Sequence, residues 1–554
     1  MAAPVSPALF DQFARGWRGY VLIALIALAS SLMGAARVQV LDDDEARFAL
    51  ATRELVERGV QPTTDVAAHR VQAVFVSALQ PVAHRSTAIW PYRLPSALGV
   101  ALAALATLWA GAALVGQRSA FFGAALFAAG MLVGFEGMQA TANALALGAV
   151  TLTFAALARM RTPDHKRRDA FVFWLALAAS IAISGPGAAL IIALALIALA
   201  GWERRVTWLA PVLWWPALVF GALMILLLEA WVAPRALIGA PGFAESDRGE
   251  LRGFYLFLLP FLIFPATYAL PAAARLAWDA MRAKRDDPGM GPLRFLLAWA
   301  LPTTLIFELA PAKFVHDALP AYPAIALLCG AGLTAMRGRQ WRSAHPAGVV
   351  LFAVTGAVII AFTAMSATFM PGDFDADLRR AVSAGLVGAG VVAATITALI
   401  MLRRPAARAA ILTACALMLS FSLRERLLPE ARALNVSSEA IAVLTRARLL
   451  PNSARPLWVV GYDAPSLNFL LHDNVRFAEI SDAAARTRPG DGLIVEGRAL
   501  REANARLSLR NLTFTPAEDP VRGLALGRGS RVVLYVGVVA SGGADAGDGQ
   551  SPSP

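Results

Sequence analysis

Four consecutive acidic residues, Asp42–Glu45, are the first residues in the chain whose types suggest chemistry. They begin a few residues after an apolar segment, Tyr20 to Arg37, that is long enough to reach a membrane boundary. An ionised carboxylate there could act as a general base on a hydroxyl or amine, and a pair of carboxylates could divide the roles, one orienting the group and the other accepting its proton. A solvated acidic cap on a helix is the alternative interpretation, and the run alone does not decide between the two.

A second group of ionisable residues lies far along the chain, in the sequence PAKFVHDALPAYP that begins at Pro311. Here Lys313, His316 and Asp317 stand between two apolar segments. Burying ionisable side chains near membrane depth is costly, and such residues are usually functional. The alternative is an interfacial loop whose lysine extends its charged end into water. As a compact point charge, Lys313 suits a phosphate, and His316 could donate to that phosphate or position an acceptor.

His69 and Arg70, between the first two apolar segments, are weaker candidates. The planar fork of Arg70 could engage two phosphate oxygens. The chain contains no phosphate-binding glycine loop, no dinucleotide fingerprint and no zinc-type Cys/His spacing. The sequence therefore predicts no firm cofactor and no metal site. A divalent cation held by the acidic residues stays open, since no spacing demands one.

Composition places the chain in a membrane. Of its 554 residues, 58% are hydrophobic and 16% are charged, whereas soluble proteins are about a quarter charged. The net charge of +12 does not indicate nucleic-acid binding, because the basic residues are scattered through short loops. Cys329 and Cys415 fall in apolar runs and are expected to be buried thiols rather than a disulfide.

About thirteen apolar segments are predicted to span the membrane. They lie near residues 20–37, 93–115, 119–135, 139–158, 170–184, 186–200, 207–229, 253–278, 293–310, 317–336, 347–369, 381–402 and 406–423. Around Gly185 the sequence Gly-Pro-Gly predicts a tight hairpin, with one kinked helix as the alternative. Basic residues concentrate in the loops on one face, which predicts a cytoplasmic N-terminus and an external C-terminus.

The chain divides into a membrane domain, residues 1–423, and two later parts. Residues 38–92 form a long first outer loop, in which Ala46–Arg58 predicts an amphipathic helix. Residues 424–540 are predicted to be a small α/β domain outside the cytoplasm. Its strands are expected at Pro456–Asp463, Val475–Ile480, Gly492–Glu496 and Arg531–Val539. Residues 541–554, mainly Gly, Ser, Asp and Pro, are predicted to be disordered.

Several of these motifs resemble the dolichyl-phosphate-mannose–protein mannosyltransferase superfamily, which has the GT-C fold and includes the bacterial aminoarabinose transferases that modify lipid A. Asp42–Thr63 is similar to the family's first extracytoplasmic loop, and Arg93–Leu98 to the start of its second helix. The stretch from Pro311 to Leu328 resembles its Lys-x-x-His-Tyr-x-x-Pro-x-x-Pro element, and Gly461–Leu471 the opening of its C-terminal periplasmic domain. Together the resemblance covers about residues 20–500.

The resemblance implies an inverting transferase that uses a polyprenyl-phosphate sugar. Asp44 matches the family's aspartate and would help to activate the acceptor, with Glu45 beside it. Cationic groups that meet the growing charge of the lipid phosphate lower the barrier, and Lys313, His316 and Arg70 match positions suited to this.

Three positions depart from the family pattern. Arg70-Val71-Gln72 replaces Lys-Pro-Pro, Asn143 stands where an aspartate is usual, and Asp317 where a tyrosine is usual. Four residues are expected to contact the substrate: His69, Asp43, Asn143 and Asp317.

The resulting hypothesis is a glycosyltransferase of the bacterial inner membrane. Its donor would be a polyprenyl-phosphate-linked sugar, and its acceptor an envelope lipid such as lipid A, ahead of a protein. A transporter or flippase for a lipid-linked substrate is one alternative, and a non-catalytic membrane scaffold is another. Transporters usually carry charged or helix-breaking residues within several spans and show paired halves. Here the charges concentrate in loops, which favours the enzyme.

Overall fold

A computed structural model describes residues 16–41, 44–83, 87–204, 206–232, 253–284, 287–310, 313–336, 338, 343–369, 374–452, 455–472, 474–525 and 530–541. The part up to residue 446 is helical. Its helices are α1 Trp17–Leu32, α2 Asp44–Arg58, α3 Val66–Leu79, α4 Trp90–Leu114, α5 Gln117–Ala128, α6 Met131–Met138, α7 Asn143–Met160, α8 Arg167–Ser184, α9 Pro186–Glu203, α10 Trp215–Val232, α11 Phe254–Leu262, α12 Leu270–Arg282, α13 Gly291–Leu309, α14 Tyr322–Ala335, α15 Ala344–Phe369, α16 Phe374–Met401, α17 Pro405–Phe421 and α18 Val436–Arg446.

Seven helices in the described ranges are long and apolar enough to cross a membrane, and up to nine spans result if two bent helix pairs each count as one. In one pair, α5 and α6 meet at 55°, and in the other the chain turns by 111° after α11. Three predicted spans correspond to shorter apolar helices, α1, α10 and α14. The chain is thus a polytopic helical membrane protein, as predicted, while the number thirteen stays a prediction.

Two smaller expectations about the membrane domain concern Gly185 and the cysteines. Gly185 has a φ of 69° and separates α8 from α9, so two helices form here, while the tight hairpin between them stays a prediction. A left-handed backbone suits glycine, which has no Cβ to clash. Cys329 and Cys415 are both buried free thiols.

Small residues let α4 and α7 approach closely. A Cβ added at Gly99 would lie 2.4 Å from the carbonyl oxygen of Ala144, and one at Gly148 would lie 2.8 Å from the carbonyl oxygen of Gly99. Backbones this close are typical of membrane helices that pack through small side chains. The contact fixes the first turn of α7, which carries Asn143, against the first half of α4.

We therefore expect Gly99→Ala to destabilise the protein by about 1–3 kcal/mol, because the added methyl group must push the α7 backbone away. Thermal unfolding in detergent measures the effect. Gly201→Ala in α9 is the matched control, since nothing lies within 4 Å of its Cβ position. Equal melting temperatures for the two variants would contradict this packing.

A six-stranded sheet forms the core of the C-terminal part. Its elements are β1 Leu457–Val460, α19 Pro465–Leu471, β2 Val475–Phe477, α20 Ile480–Arg486, β3 Gly492–Glu496, α21 Leu500–Ser508, β4 Leu512–Pro516, β5 Val521–Ala525 and β6 Ser530–Ser541. The strand order is β2-β1-β3-β6-β4, with β5 also pairing to β6. β1 is parallel to β2 and β3, and β6 is antiparallel to its three neighbours. The predicted disordered tail, apart from Ser541, lies outside the described residues.

The C-terminal part contacts the first outer loop at Arg53. Arg53 of α2 is buried, and it donates to the carbonyl oxygens of Phe469 at 2.8 Å and Asn468 at 3.3 Å. Its guanidinium also lies 5.5 Å from the centre of the Phe469 ring, which meets Tyr92 edge to face. The helix that begins with Asp44 is therefore held from both sides, by the membrane domain and by α19.

Candidate active site

The two acidic residues at the start of α2 have different environments. Asp44 is exposed at the first position of the helix, whereas Glu45 is 2% exposed. A carboxylate at a helix N-terminus is stabilised by the helix dipole. Asp42 and Asp43 lie outside the described residues. Asp44 is thus accessible to a substrate, whereas the Glu45 side chain points into the protein.

Glu45 forms a buried, bidentate ion pair with Arg93 of α4. Both N–O distances, from Nε and from Nη2, are 2.8 Å. The carboxylate also accepts hydrogen bonds from the backbone N–H groups of Leu41 and Ala140, each at 2.9 Å. All four contacts satisfy a charge that would otherwise be costly to bury.

Arg93 extends the same network to the chain before α2. It donates to the carbonyl oxygens of Ala35, Val38 and Gln39 at 2.7–2.9 Å. The pair therefore connects the end of α1, the start of α2, the start of α4 and the turn before α7. We infer that Glu45 positions this loop, rather than taking part in proton transfer.

A carboxylate that the sequence motifs did not include lies at the centre of the site. Glu136, near the end of α6, is 3% exposed and accepts a hydrogen bond from the Asn143 side chain at 3.2 Å. Its Oε1 is 3.7 Å from Nδ1 of His316. Asp44 and Asp317 also interact electrostatically with Glu136. Residues 44, 136, 143, 316 and 317 thus converge, although up to 273 positions separate them in the chain.

The loop between α13 and α14 is fixed by Asp317. Its carboxylate accepts from the Phe314 N–H at 2.8 Å and from the Tyr255 hydroxyl at 3.1 Å, and it lies 3.8 Å from Nε2 of His316. Lys313, half-buried in the same loop, donates to the carbonyl oxygen of Ala310 at 3.1 Å. In the family that the sequence resembles, a tyrosine usually follows the histidine; here Asp317 stands at that position and organises the loop.

A large apolar cavity lies next to this loop. Its volume is about 780 Å³, and its lining includes Phe135, beside Glu136, and Val315, beside His316. Phe257, Leu258 and Phe362 line it further. The cavity therefore has a lining that suits an apolar chain, and it borders the residues that precede Glu136 and His316 in the sequence.

Two candidates from the first outer loop lie elsewhere. Arg70 donates to the side chain of Gln61 at 3.2 Å and stacks on the Trp231 ring of α10 at 5.0 Å. His69 is buried, stacks on Phe48 and shares a hydrogen bond of 2.7 Å with the Thr52 hydroxyl. Among the described residues, neither contacts the cluster around Glu136, so their roles at a substrate stay predictions.

The His69 environment predicts a dependence of stability on pH. Burial lowers the pKa of His69 to about 4, whereas an unfolded chain binds the same proton near pH 6.5. The free energy of unfolding therefore has its full value above pH 6.5. It decreases by about 3 kcal/mol in total as the pH falls towards 4. Unfolding of the wild type and of His69→Gln at pH 7, 5.5 and 4.5 checks this. The same pH slope in both proteins would contradict it.

Sequence reasoning missed Glu136 because it belongs to no motif. The available signal was a single acidic residue in an otherwise apolar run, MLVGFEGM, since such residues within membrane segments are usually functional. Within the described part of the chain, no group of three or more His, Cys, Asp or Glu side chains could hold a metal ion.

No protein-family model matches the chain, and neither does any curated protein. Solved structures do match. The crystal structure of ArnT from Cupriavidus metallidurans bound to undecaprenyl phosphate superposes with a TM-score of 0.71 at 18% identity, over 95% of this chain and 99% of that chain. The apo state of the same protein gives 0.67 at 16% identity, over 93% and 97%. The resemblance noted in the sequence is thus confirmed for the fold: the chain has the GT-C fold of ArnT.

Proposed function

We propose that the chain is a membrane glycosyltransferase that moves a sugar from a polyprenyl-phosphate donor to an acceptor in the cell envelope. The observation that carries the proposal is the apolar cavity of about 780 Å³, whose lining includes Val315 of the loop that also carries Lys313 and His316. A polyprenyl phosphate needs both features, an apolar channel for its chain and cations for its head group. The ArnT structure with undecaprenyl phosphate supports this choice of donor.

Asp44 is the proposed general base. As the acceptor hydroxyl attacks the anomeric carbon, its proton passes to the Asp44 carboxylate and a new C–O bond forms with inversion. The bond between the anomeric carbon and the phosphate oxygen breaks, and its electron pair leaves with the polyprenyl phosphate. The leaving phosphate gains negative charge, and in this proposal Lys313 and His316 stabilise that charge.

We place the site on the periplasmic face of a bacterial inner membrane. Support comes from the distribution of basic residues, which predicts a cytoplasmic N-terminus and an external first outer loop. Because cytosolic nucleotide sugars do not reach that face, a donor that arrives through the membrane fits the site. An envelope lipid is the favoured acceptor, lipid A or another, and a protein is the second choice.

Mass spectrometry of envelope lipids tests the proposal. A strain that lacks the chain should lose a sugar-sized mass from one lipid class, and the wild-type chain should restore it where Asp44→Asn does not. If lipids stay unchanged, the same comparison is made on glycoproteins. Unchanged lipids and unchanged glycoproteins together would refute a glycosyltransferase and favour a transporter or a scaffold.

A further inference from the structure

Glu136 is a buried carboxylate in an apolar helix, and its neighbours indicate what it does. An ionised carboxylate away from water is costly unless it is paired. In the described part of the chain its two polar side-chain contacts are the Asn143 amide at 3.2 Å and the His316 ring at 3.7 Å. Since an amide is neutral, the His316 ring is the basic group that faces this carboxylate.

The His316 ring is held on three sides. Nδ1 faces Glu136 and Nε2 faces Asp317, at 3.7 and 3.8 Å. One face of the ring lies parallel to Phe314, with 5.5 Å between the ring centres. Asp317 is itself fixed by hydrogen bonds, and Glu136 is the carboxylate that faces the other edge of the ring. About a quarter of the His316 side chain, 28%, remains accessible.

We propose that Glu136 is a positioning residue that pairs with the imidazolium of His316 and directs it towards the departing lipid phosphate. The inference rests on the proposed glycosyl transfer. A sugar phosphodiester carries one negative charge, and the phosphate monoester that leaves gains a second as the C–O bond breaks. A fixed cation therefore stabilises the transition state more than the bound donor, so its loss reduces kcat more than it raises KM. Glu136 neither touches the substrate nor takes its proton.

The pair of Glu136 and Asn143 allows a matched exchange. Glu136→Gln keeps the shape of the side chain and removes its charge. Glu136→Gln combined with Asn143→Asp exchanges the carboxylate and the amide between two positions whose polar atoms are 3.2 Å apart. The negative charge then returns to the same cluster, within a few ångströms of its original place.

Steady-state sugar transfer by the purified full chain, with donor concentration varied, gives the readout. We expect Glu136→Gln to reduce kcat about 10- to 100-fold with little change in donor KM, since an opposite charge nearby changes the stability of a cation by about tenfold or more. The exchange variant should recover about tenfold of that loss. Glu136→Asp should keep partial activity, and Asn143→Asp alone should be impaired because two carboxylates would lie side by side.

Melting temperatures separate positioning from folding. Three results would each overturn the inference. Glu136→Gln could transfer sugar at the wild-type rate, or the exchange variant could be no faster than Glu136→Gln. In the third, the loss of rate would follow the loss of melting temperature across the series. In each of these cases the proposed function still stands if the wild-type protein transfers sugar. A wild-type chain that transfers no sugar would overturn the proposed function, and this inference with it.

Discussion

Replacing Asp44 by Asn is expected to reduce sugar transfer about 10²- to 10⁴-fold while the protein stays folded. The amide has nearly the shape of the carboxylate but cannot accept the acceptor's proton. Asp44 is exposed, so the substitution removes no buried contact. Its cost to stability is limited to the helix-dipole term, about 0.5 kcal/mol. Donor KM should change little, because the proton moves only during the reaction.

Glu57→Gln is the matched control for this experiment. Glu57 is exposed near the other end of the same helix, and it lies outside the cluster around Glu136. Transfer by purified protein, measured as sugar-dependent mass gain of the acceptor, should be normal for Glu57→Gln. If Asp44→Asn kept more than half of the wild-type rate, Asp44 would not be the base.

The second large effect concerns the ion pair of Glu45 with Arg93. Arg93→Met should lower the free energy of unfolding by about 3–5 kcal/mol, because it leaves the Glu45 carboxylate buried without its cation. The pair has side-chain exposures of 0% and 1%, so solvent does not screen it. Thermal unfolding in detergent, followed by tryptophan fluorescence, measures the loss.

The double variant Glu45→Met with Arg93→Met should be more stable than Arg93→Met alone, since no buried charge remains unpaired. Recovery should be incomplete, because three carbonyl oxygens lose the guanidinium and two backbone N–H groups lose the carboxylate. Glu45→Gln separates the two roles of this residue. A Glu45→Gln protein with wild-type melting temperature and no transfer would show that Glu45 is catalytic, contrary to the positioning role inferred for it.

Local sequence patterns predicted the helices and strands whose own residues show a helical or strand pattern. Ala46–Arg58 was expected to be an amphipathic helix, and the observed α2 spans Asp44–Arg58. The four predicted strands correspond to β1, β2, β3 and β6. β4 and β5 were not expected; β4 ends in a proline and β5 has a glycine at its centre, residues that usually interrupt strands.

What sequence could not supply is the direction in which side chains point. Asp44 and Glu45 are adjacent and acidic, yet one faces solvent and the other is buried against Arg93. Consecutive helical residues differ by about 100°, so packing of neighbouring helices decides which of them is accessible. In the same way, Glu136 becomes relevant only because the bend between α5 and α6 and the loop at His316 bring it to the site.

Release of polyprenyl phosphate tests the glycosyltransferase proposal most directly. The purified chain is reconstituted in lipid nanodiscs with a polyprenyl-phosphate sugar extracted from envelopes and with the envelope lipid fraction as acceptor. We expect one free polyprenyl phosphate to appear for each sugar that an acceptor lipid gains. Asp44→Asn should release polyprenyl phosphate at least about 10²-fold more slowly than the wild type. Release that is absent with the wild type, or equal with Asp44→Asn, would contradict a polyprenyl-phosphate glycosyltransferase with Asp44 as its base.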